Sequence, residues 1–246
     1  MSALVTREDN GGVTTLTLNR PESLNALSPS MFVELRAHID SIASQPDTIG
    51  CVVLRGAGRS FSAGNDIKAI QSGDRAPSAH FQAETIDALQ ALPQPVIAAV
   101  KGHCYTGALE LALGCDFIVA GESARFADTH GKWSMTPTWG MSQRLPRRIG
   151  AARAKQMMFT GTPLSGPEAV NFGLANVCVP DDDLEKTVSG MAAAIVANSW
   201  HTMRADKSLV NEGQEFPLRE GLAYERRTSP GAGPDMAERL KAFGAR

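Results

Sequence analysis

Three short apolar runs constrain the fold of this chain more than any other feature of its sequence. They read CVVLRG at residues 51–56, PVIAAVKG at 95–102 and CDFIVAG at 115–121. Continuous apolar runs of this length are typical of strands covered on both faces, as in a parallel sheet between helices. A helical pattern over about 79–92 separates the first two runs. The pattern predicts an α/β fold.

The neighbouring segments carry local strand and helix signals. VTTLTLN at residues 13–19 alternates polar and apolar side chains, which predicts a strand with one buried face. Ser28 followed by Pro29 predicts the start of a helix. Ser165 with Glu168 predicts a capping box. We expect strand–helix–strand alternation to continue to about residue 180.

The sequence from residue 181 onward reads as helices only. Helical patterns cover 181–199, 201–212 and 218–227, and a last amphipathic stretch follows. A few helices at the end of a chain cannot bury all their apolar faces against one another. We therefore expect these helices to dock on another surface. The sequence leaves open whether they dock on the α/β core or on a neighbouring subunit.

Composition and charge exclude several classes of protein. The 246 residues are 43% hydrophobic and 20% charged with a formal net charge of −2, which is typical of a soluble globular protein and gives no basic surface for nucleic acid. No stretch reaches the roughly 18–20 apolar residues of a membrane span. MSALVTREDNGG at the start does not read as a signal peptide. The four cysteines lack metal-ligand spacing, so we expect reduced, buried thiols and a cytoplasmic protein.

Small residues follow the first two predicted buried strands. SFSAGND spans 60–66 after the first, and GHCYTGALELALGCD spans 102–116 after the second, with Gly107 opening a predicted helix. The first N–H groups of a helix are unpaired and attract negative charge. If the N–H groups of Ala63 and Gly107 face one point, they can hold the negative oxygen of an enolate or a tetrahedral intermediate. Ordinary turn chemistry is the alternative explanation for each loop.

Four motifs, in this order, resemble the crotonase family, the enoyl-CoA hydratase/isomerase superfamily: NRPESLNALS, FSAGNDI, KGHCYTGALELALGCDFIVA and WGMSQRLPRRIG. The similarity runs from about residue 5 to the final helix. The resemblance implies a crotonase-like spiral of ββα units over 1–195 and a C-terminal helical trimerisation region over 196–246. It also implies a homo-trimer or hexamer that acts on an acyl-CoA thioester, in the chemistry of fatty acid metabolism.

The same resemblance implies a set of binding residues. The thioester oxygen would lie between the N–H groups of Ala63 and Gly107. The residues expected along the path of the substrate and its CoA portion are Leu24, Ala26, Ser62, Gly64, Asn65, Asp66 and Ile67. CoA enters as part of the substrate, and the resemblance implies no further cofactor, no metal, no nucleic acid and no membrane partner.

Two proton-carrying side chains are expected beside the thioester. Glu110 lies one helical turn after Gly107, on the same face, inside the apolar stretch ALELAL, where an unpaired carboxylate is unfavourable. Aligning the chain on the family places His130 where hydratases carry a second glutamate, and an imidazole can also transfer a proton near neutral pH. The alternatives are a glutamate paired with Lys or Arg and a loop histidine with a local hydrogen bond. Asp128 is placed to orient His130 or to shape the turn.

These expectations lead to a predicted activity. Trp133, Met135 and Trp139 are expected to wall the acyl pocket, with core packing as their alternative role. The predicted reaction is hydration of a 2-enoyl-CoA through an enolate held by the oxyanion site. Because His130 replaces the second glutamate, the alternatives are a double-bond isomerase, a decarboxylase, a C–C or thioester hydrolase, or a non-catalytic acyl-CoA binder.

Overall fold

Helices and strands alternate along most of the chain, and the predicted α/β class is confirmed by a computed structural model that describes residues 3–244. Residues 1–2 and 245–246, at the outer limits of the two predicted regions, lie outside the described residues. The boundary between 1–195 and 196–246 stays a prediction.

Two sheets are built from strands β1 (Val5–Asn10), β2 (Val13–Leu18), β3 (Cys51–Gly56), β4 (Val96–Val100), β5 (His103–Tyr105), β6 (Phe117–Gly121), β7 (Arg125–Ala127), β8 (Leu164–Ser165) and β9 (Val177–Val179). A six-stranded sheet, in the order β1-β2-β3-β4-β6-β9, is the centre of the fold. Its first two strands pair antiparallel, and the others are parallel. The smaller sheet has the order β5-β7-β8.

The predicted helix starts are found where the local signals place them. Ser28 accepts a hydrogen bond from the Met31 N–H as an N-cap, and Ser165 forms the capping box with Glu168. The helices are α1 (Pro29–Ala43), α2 (Ile67–Gln71), α3 (Phe81–Gln90), α4 (Gly107–Leu113), α5 (Met141–Ile149), α6 (Ala151–Thr160), α7 (Gly166–Phe172), α8 (Leu184–Ala197), α9 (Trp200–Gly213), α10 (Leu218–Thr228) and α11 (Met236–Gly244).

Two elements differ from the sequence-based expectation. Strand β1 forms a hairpin with β2 although its residues are mostly polar, because as an edge strand it is largely exposed. Helices α5 and α6 follow one another with only Gly150 between them, so the predicted alternation is wrong there. The left-handed φ of +82° at Gly150 ends the first helix and starts the second in a new direction.

The central strands are buried on both faces, as their continuous apolar sequence predicts. One face packs on α1, α3, α4 and α5 in the main core. The other face packs under α8. This second core consists of Cys51, Val53, Ile97, Ala99, Val119, Leu184, Val188 and Ala192.

All four cysteines are free thiols, but the prediction that all are buried is wrong for one of them. Burial raises the pKa of Cys51 and of Cys115 to about 12, and Cys104 is also buried. Cys178 is only half-buried because it lies on the edge strand β9. Within residues 3–244, no helix is long and apolar enough to cross a membrane.

Helix α9 docks on the core of its own chain. The Trp200 ring packs directly on two glycines. A Cβ at Gly12 would lie 2.8 Å from the ring, and a Cβ at Gly50 would lie 2.4 Å from it. Lys207 Nζ lies 2.8 Å from Asp116 Oδ2 and anchors the middle of the helix. Beyond this contact, large apolar side chains of the tail remain exposed: Val210, Phe216, Leu218, Leu222, Met236 and Leu240.

Candidate active site

The loops that follow β3 and β4 lie side by side. The Phe61 N–H donates to the Lys101 carbonyl at 2.7 Å, and the Ser62 N–H donates to the His103 carbonyl at 2.8 Å. The pairing continues as a parallel bridge between Ser62 and Cys104. Because the carboxyl ends of parallel strands share one edge of a sheet, the two glycine-containing loops meet there.

Gly64 and Gly107 bring the two loops into backbone contact. Gly64 has a left-handed φ of +97°, and a Cβ at this position would lie 2.6 Å from the Tyr105 carbonyl oxygen and 3.7 Å from the Gly107 nitrogen. Gly107 begins α4, as predicted, so its N–H belongs to the first turn of that helix. The small size of residue 64 therefore serves the close packing of two protein loops.

The predicted oxyanion donor Ala63 is wrong. Its N–H already donates to the Leu24 carbonyl at 2.9 Å, which ties the loop after β3 to the Leu24–Ala26 stretch. An amide engaged in this way has no proton left for a ligand oxygen.

Asn65 is the residue whose N–H is available instead. The bonds Leu27 N–H to Gly64 carbonyl and Asp66 N–H to Leu27 carbonyl flank it on one side. Because both bonds of this parallel bridge are made by the residues on either side of Asn65, the N–H of Asn65 itself points away from Leu27. Among residues 3–244, neither this N–H nor that of Gly107 has a hydrogen-bond acceptor.

Glu110 is fully enclosed on the inner face of α4, with 1% of its surface exposed. Its Oε1 accepts hydrogen bonds from the Trp139 N–H at 2.9 Å and the Met141 N–H at 3.0 Å. Burial raises the pKa of Glu110, against the opposing effect of the Met141 N–H, of His130 and of the Trp139 N–H. The alternative of an exposed glutamate paired with Lys or Arg is therefore wrong.

His130 faces the free oxygen of Glu110. Its Nε2 lies 3.8 Å from Glu110 Oε2, and its Nδ1 lies 2.7 Å from Asp128 Oδ1. Burial acts to lower the pKa of His130, but the Asp128 and Glu110 carboxylates outweigh burial, and the net pKa is raised. The structure thus brings together the two side chains that were expected to carry protons.

The residues expected along the CoA path lie together but differ in accessibility. Ser62 is buried, and its hydroxyl accepts from the Gly64 N–H at 3.1 Å, so it shapes the loop and its expected ligand contact is wrong. Asp66 pairs with Arg20 at 2.6 Å and caps α2 through the Ala69 N–H. Both carboxylate oxygens of Asp66 are therefore engaged within the protein. The partly or largely exposed positions are Leu24, Ala26, Asn65 and Ile67.

Of the three expected pocket residues, Trp139 packs directly on the Gly107 turn. Its ring packs edge-on against Phe32 at 5.1 Å and covers Gly107, where a Cβ would approach the ring to 2.4 Å. Trp133 is 70% exposed and Met135 is also exposed, because the 3₁₀ turn His130–Trp133 ends in a left-handed Ser134 that turns the chain outward. Their expected role as walls of an acyl pocket stays a prediction.

Thr106 is a site residue that sequence reasoning missed. It holds a strained conformation, φ 53° and ψ −110°, immediately before Gly107. Its N–H donates to the Ala127 carbonyl at 2.8 Å, and its hydroxyl accepts from the Thr129 N–H at 3.2 Å. These bonds connect the Gly107 turn to the loop that carries His130. A threonine directly before the helix-opening glycine is the only local signal for this role.

The geometry of these residues defines a class of site. Two unpaired amides on adjoining loops, beside a buried carboxylate and an imidazole, can hold an anionic oxygen and transfer a proton near it.

Comparison with known proteins places the chain in a family. The family model for enoyl-CoA hydratase/isomerase matches residues 8–236. The chain is 37% identical over 245 residues to the probable enoyl-CoA hydratase echA8 of Mycobacterium tuberculosis, covering 98% of this chain and 93% of the relative. It is 34% identical over 222 residues to the short-chain-enoyl-CoA hydratase of Clostridium acetobutylicum, covering 89% and 85%.

The fold agrees with these sequence relatives. The crystal structure of an enoyl-CoA hydratase from Bacillus anthracis matches with a TM-score of 0.92 at 33% identity, covering 98% of this chain and 96% of that one. The chain therefore belongs to the enoyl-CoA hydratase/isomerase family, and the expected crotonase-like fold with C-terminal helices is confirmed.

Proposed function

We propose that this protein is an acyl-CoA enzyme that adds water to the double bond of a 2-enoyl-CoA. One observation carries the proposal: the free Glu110 oxygen and His130 Nε2 face each other at 3.8 Å, beside the two loops with unpaired amides. Relatives at 34–37% identity that are named enoyl-CoA hydratases support the same reaction class.

The proposed reaction assigns one role to each group. The thioester oxygen accepts hydrogen bonds from the Asn65 and Gly107 N–H groups, with Asn65 in the place first expected for Ala63. Glu110 and His130 hold a water and remove its proton as its oxygen bonds to C3. The electron pair of the double bond moves onto the thioester oxygen as an enolate, which the two amides stabilise. A proton returned to C2 then gives the 3-hydroxyacyl-CoA, so water is added with no net change in protons.

Double-bond isomerisation is the second candidate, and one observation favours it. His130 is a single-point proton carrier, whereas a second glutamate could hold one water through two oxygens. An enolate site with such a pair can also take a proton from one carbon and return it to another. The other enolate reactions, decarboxylation and C–C or thioester hydrolysis, remain further alternatives, as does non-catalytic acyl-CoA binding.

Assays with crotonyl-CoA and with a 3-enoyl-CoA separate these candidates. We expect crotonyl-CoA hydration by the wild-type protein and its loss in Glu110→Gln, by about 10²–10⁴-fold in kcat. Binding of butyryl-CoA, measured by calorimetry, should be kept in that variant. His130→Glu should retain or increase hydration. Conversion of the 3-enoyl-CoA alone would favour isomerisation, and butyryl-CoA binding without turnover of either ester would favour the binder.

We further propose a homo-trimer or hexamer in the cytoplasm, with CoA entering only as part of the substrate. The exposed apolar side chains of the tail support an assembly. The absence of a metal or separate cofactor from the reaction stays a prediction from the family resemblance.

A further inference from the structure

We propose that Asp128 is a positioning residue that holds His130 in the Nδ1–H tautomer, so that Nε2 presents its lone pair to Glu110. The tautomer assignment stands on the hydrogen bonds of this loop alone. Its consequence for turnover rests on the function proposed above.

The carboxylate of Asp128 is directed at His130 by two contacts. Asp128 Oδ1 accepts from the His130 backbone N–H at 3.0 Å and lies 2.7 Å from the ring Nδ1. Asp128 is itself buried at the end of β7. A carboxylate only accepts hydrogen bonds, so the ring nitrogen beside it carries the proton. In a neutral imidazole the other nitrogen, Nε2, is then an acceptor.

The opposite nitrogen faces the part of Glu110 that is free to react. Oε1 of Glu110 is engaged by two backbone N–H groups, so Oε2 is the oxygen that can carry a proton or bind water. The separation of 3.8 Å between Oε2 and Nε2 exceeds a direct hydrogen bond. A single bridging water is within reach of both atoms. In the other tautomer Nε2 would carry the proton, so it would have no lone pair with which to act as a base toward this water.

The loop that carries these residues is fixed to the oxyanion turn. Thr106 accepts from the Thr129 N–H and donates to the Ala127 carbonyl, on either side of Asp128. The backbone on both sides of Asp128 is therefore held in place independently of the bond between Asp128 and His130. This is the arrangement expected of a group that orients a base and stabilises the imidazolium formed when Nε2 takes a proton.

Nitrogen NMR of protein labelled with ¹⁵N-histidine tests the tautomer without any substrate. His130 is assigned by comparison with His130→Gln, at a pH where the ring is neutral. We expect the Nδ1–H form in the wild type and loss of that preference in Asp128→Ala. An Nε2–H form in the wild type, or an unchanged tautomer in Asp128→Ala, overturns the proposal.

Steady-state kinetics with crotonyl-CoA tests the consequence. Asp128→Asn keeps the side-chain shape and the acceptor oxygen but removes the charge. This variant can therefore be assayed even if Asp128→Ala does not fold. We expect kcat to fall by about 10²-fold with little change in KM. Asp116→Asn removes the charge from a partly buried ion pair just before β6, at the edge of the sheet opposite the site loops, and should stay within about twofold of wild type. Unchanged kcat in Asp128→Asn overturns the proposed consequence of the Asp128 charge for turnover.

The two arms distinguish this proposal from the proposed function. If the wild type shows the Nδ1–H tautomer and Asp128→Ala loses it, yet no enoyl-CoA is turned over, then the proposed function fails and the positioning role of Asp128 stands.

Discussion

One carboxylate oxygen of Glu110 accepts two backbone hydrogen bonds, and the other is free. The burial of this carboxylate affects the stability of the fold as well as proton transfer. Burial raises its pKa above the ordinary 4.5. Between the ordinary and the raised value, the folded state binds more protons than the unfolded state, so the free energy of unfolding falls as pH rises. The raised pKa of His130 acts in the same direction, because its contribution is lost as pH rises through the folded pKa.

We therefore expect Glu110→Gln to be inactive but more stable than wild type at pH 8, by about 0.5–2 kcal/mol. The amide oxygen can still accept from Trp139 and Met141, and no charge is buried. Urea unfolding at several pH values between 5 and 8 measures the difference, which should grow with pH. A variant less stable than wild type at pH 8 would show that the charged carboxylate is well compensated.

The oxyanion site shows at residue scale what sequence alone can and cannot predict. Gly107 is identified correctly because its signal is local: a glycine that opens a helix. The prediction of Ala63 as a donor is wrong because Leu24 and Leu27, about forty positions earlier in the chain, pair with this loop. Their pairing decides which N–H of the loop stays free. Composition shows that small residues cluster there, but not which N–H points to which side.

At the scale of elements, the contact between the loops after β3 and β4 depends on Gly64. Gly64→Ala should reduce the free energy of unfolding by about 2–4 kcal/mol, because a Cβ would both strain the left-handed backbone and approach the Tyr105 carbonyl to 2.6 Å. Gly73 is a matched control, with φ +100° and nothing within 4 Å of a Cβ.

Urea unfolding of Gly64→Ala and Gly73→Ala separates the two effects. Gly73→Ala should show only the cost of the left-handed backbone, about 1 kcal/mol. The excess in Gly64→Ala measures the close approach, and kcat should fall only in that variant. Equal losses in the two variants would contradict a contact that holds the loops together.

Thr106 connects the Gly107 turn to the His130 loop, and its hydroxyl is the part to test. Thr106→Val keeps the side-chain shape but leaves the Thr129 N–H without its acceptor, so we expect a loss of about 1–2 kcal/mol in unfolding free energy and a lower kcat. Thr106→Ser keeps the hydroxyl and should retain most of the activity. If the valine variant is as active as the serine variant, the hydroxyl does not position Gly107.

The sequence predicts an element correctly where its signal is periodic or local. The continuous apolar strands, the Ser28 cap and the capping box at Ser165 are all found. Strand β1 is not predicted because an edge strand needs few apolar residues. The exposure of Trp133 does not follow from its sequence neighbourhood either, because the direction of its loop depends on the left-handed Ser134.

For the whole molecule, the tail divides into a part that docks on its own core and a part that does not. Helix α9 is anchored by Trp200 and Lys207. Leu218 and Leu222 on α10 remain exposed, which is unfavourable for an isolated chain and favours burial between subunits.

We expect light scattering to give three or six times the 26.1 kDa protomer mass. The double variant Leu218→Asp/Leu222→Asp should shift the mass toward the monomer, because charges at a buried interface are unfavourable. Ala37→Asp adds a charge at an exposed position of α1 and should leave the mass unchanged. A monomeric wild type would contradict the proposed assembly.

The convergence of the Asn65 and Gly107 amides on one ligand oxygen is tested most directly by a crystal structure with butyryl-CoA, whose saturated acyl chain cannot be hydrated. We predict the thioester oxygen within about 2.7–3.1 Å of both amide nitrogens, with the acyl chain directed toward Glu110. A thioester oxygen that contacts neither amide, or that displaces Leu24 to reach the Ala63 N–H, would contradict the convergence of the Asn65 and Gly107 amides on this oxygen.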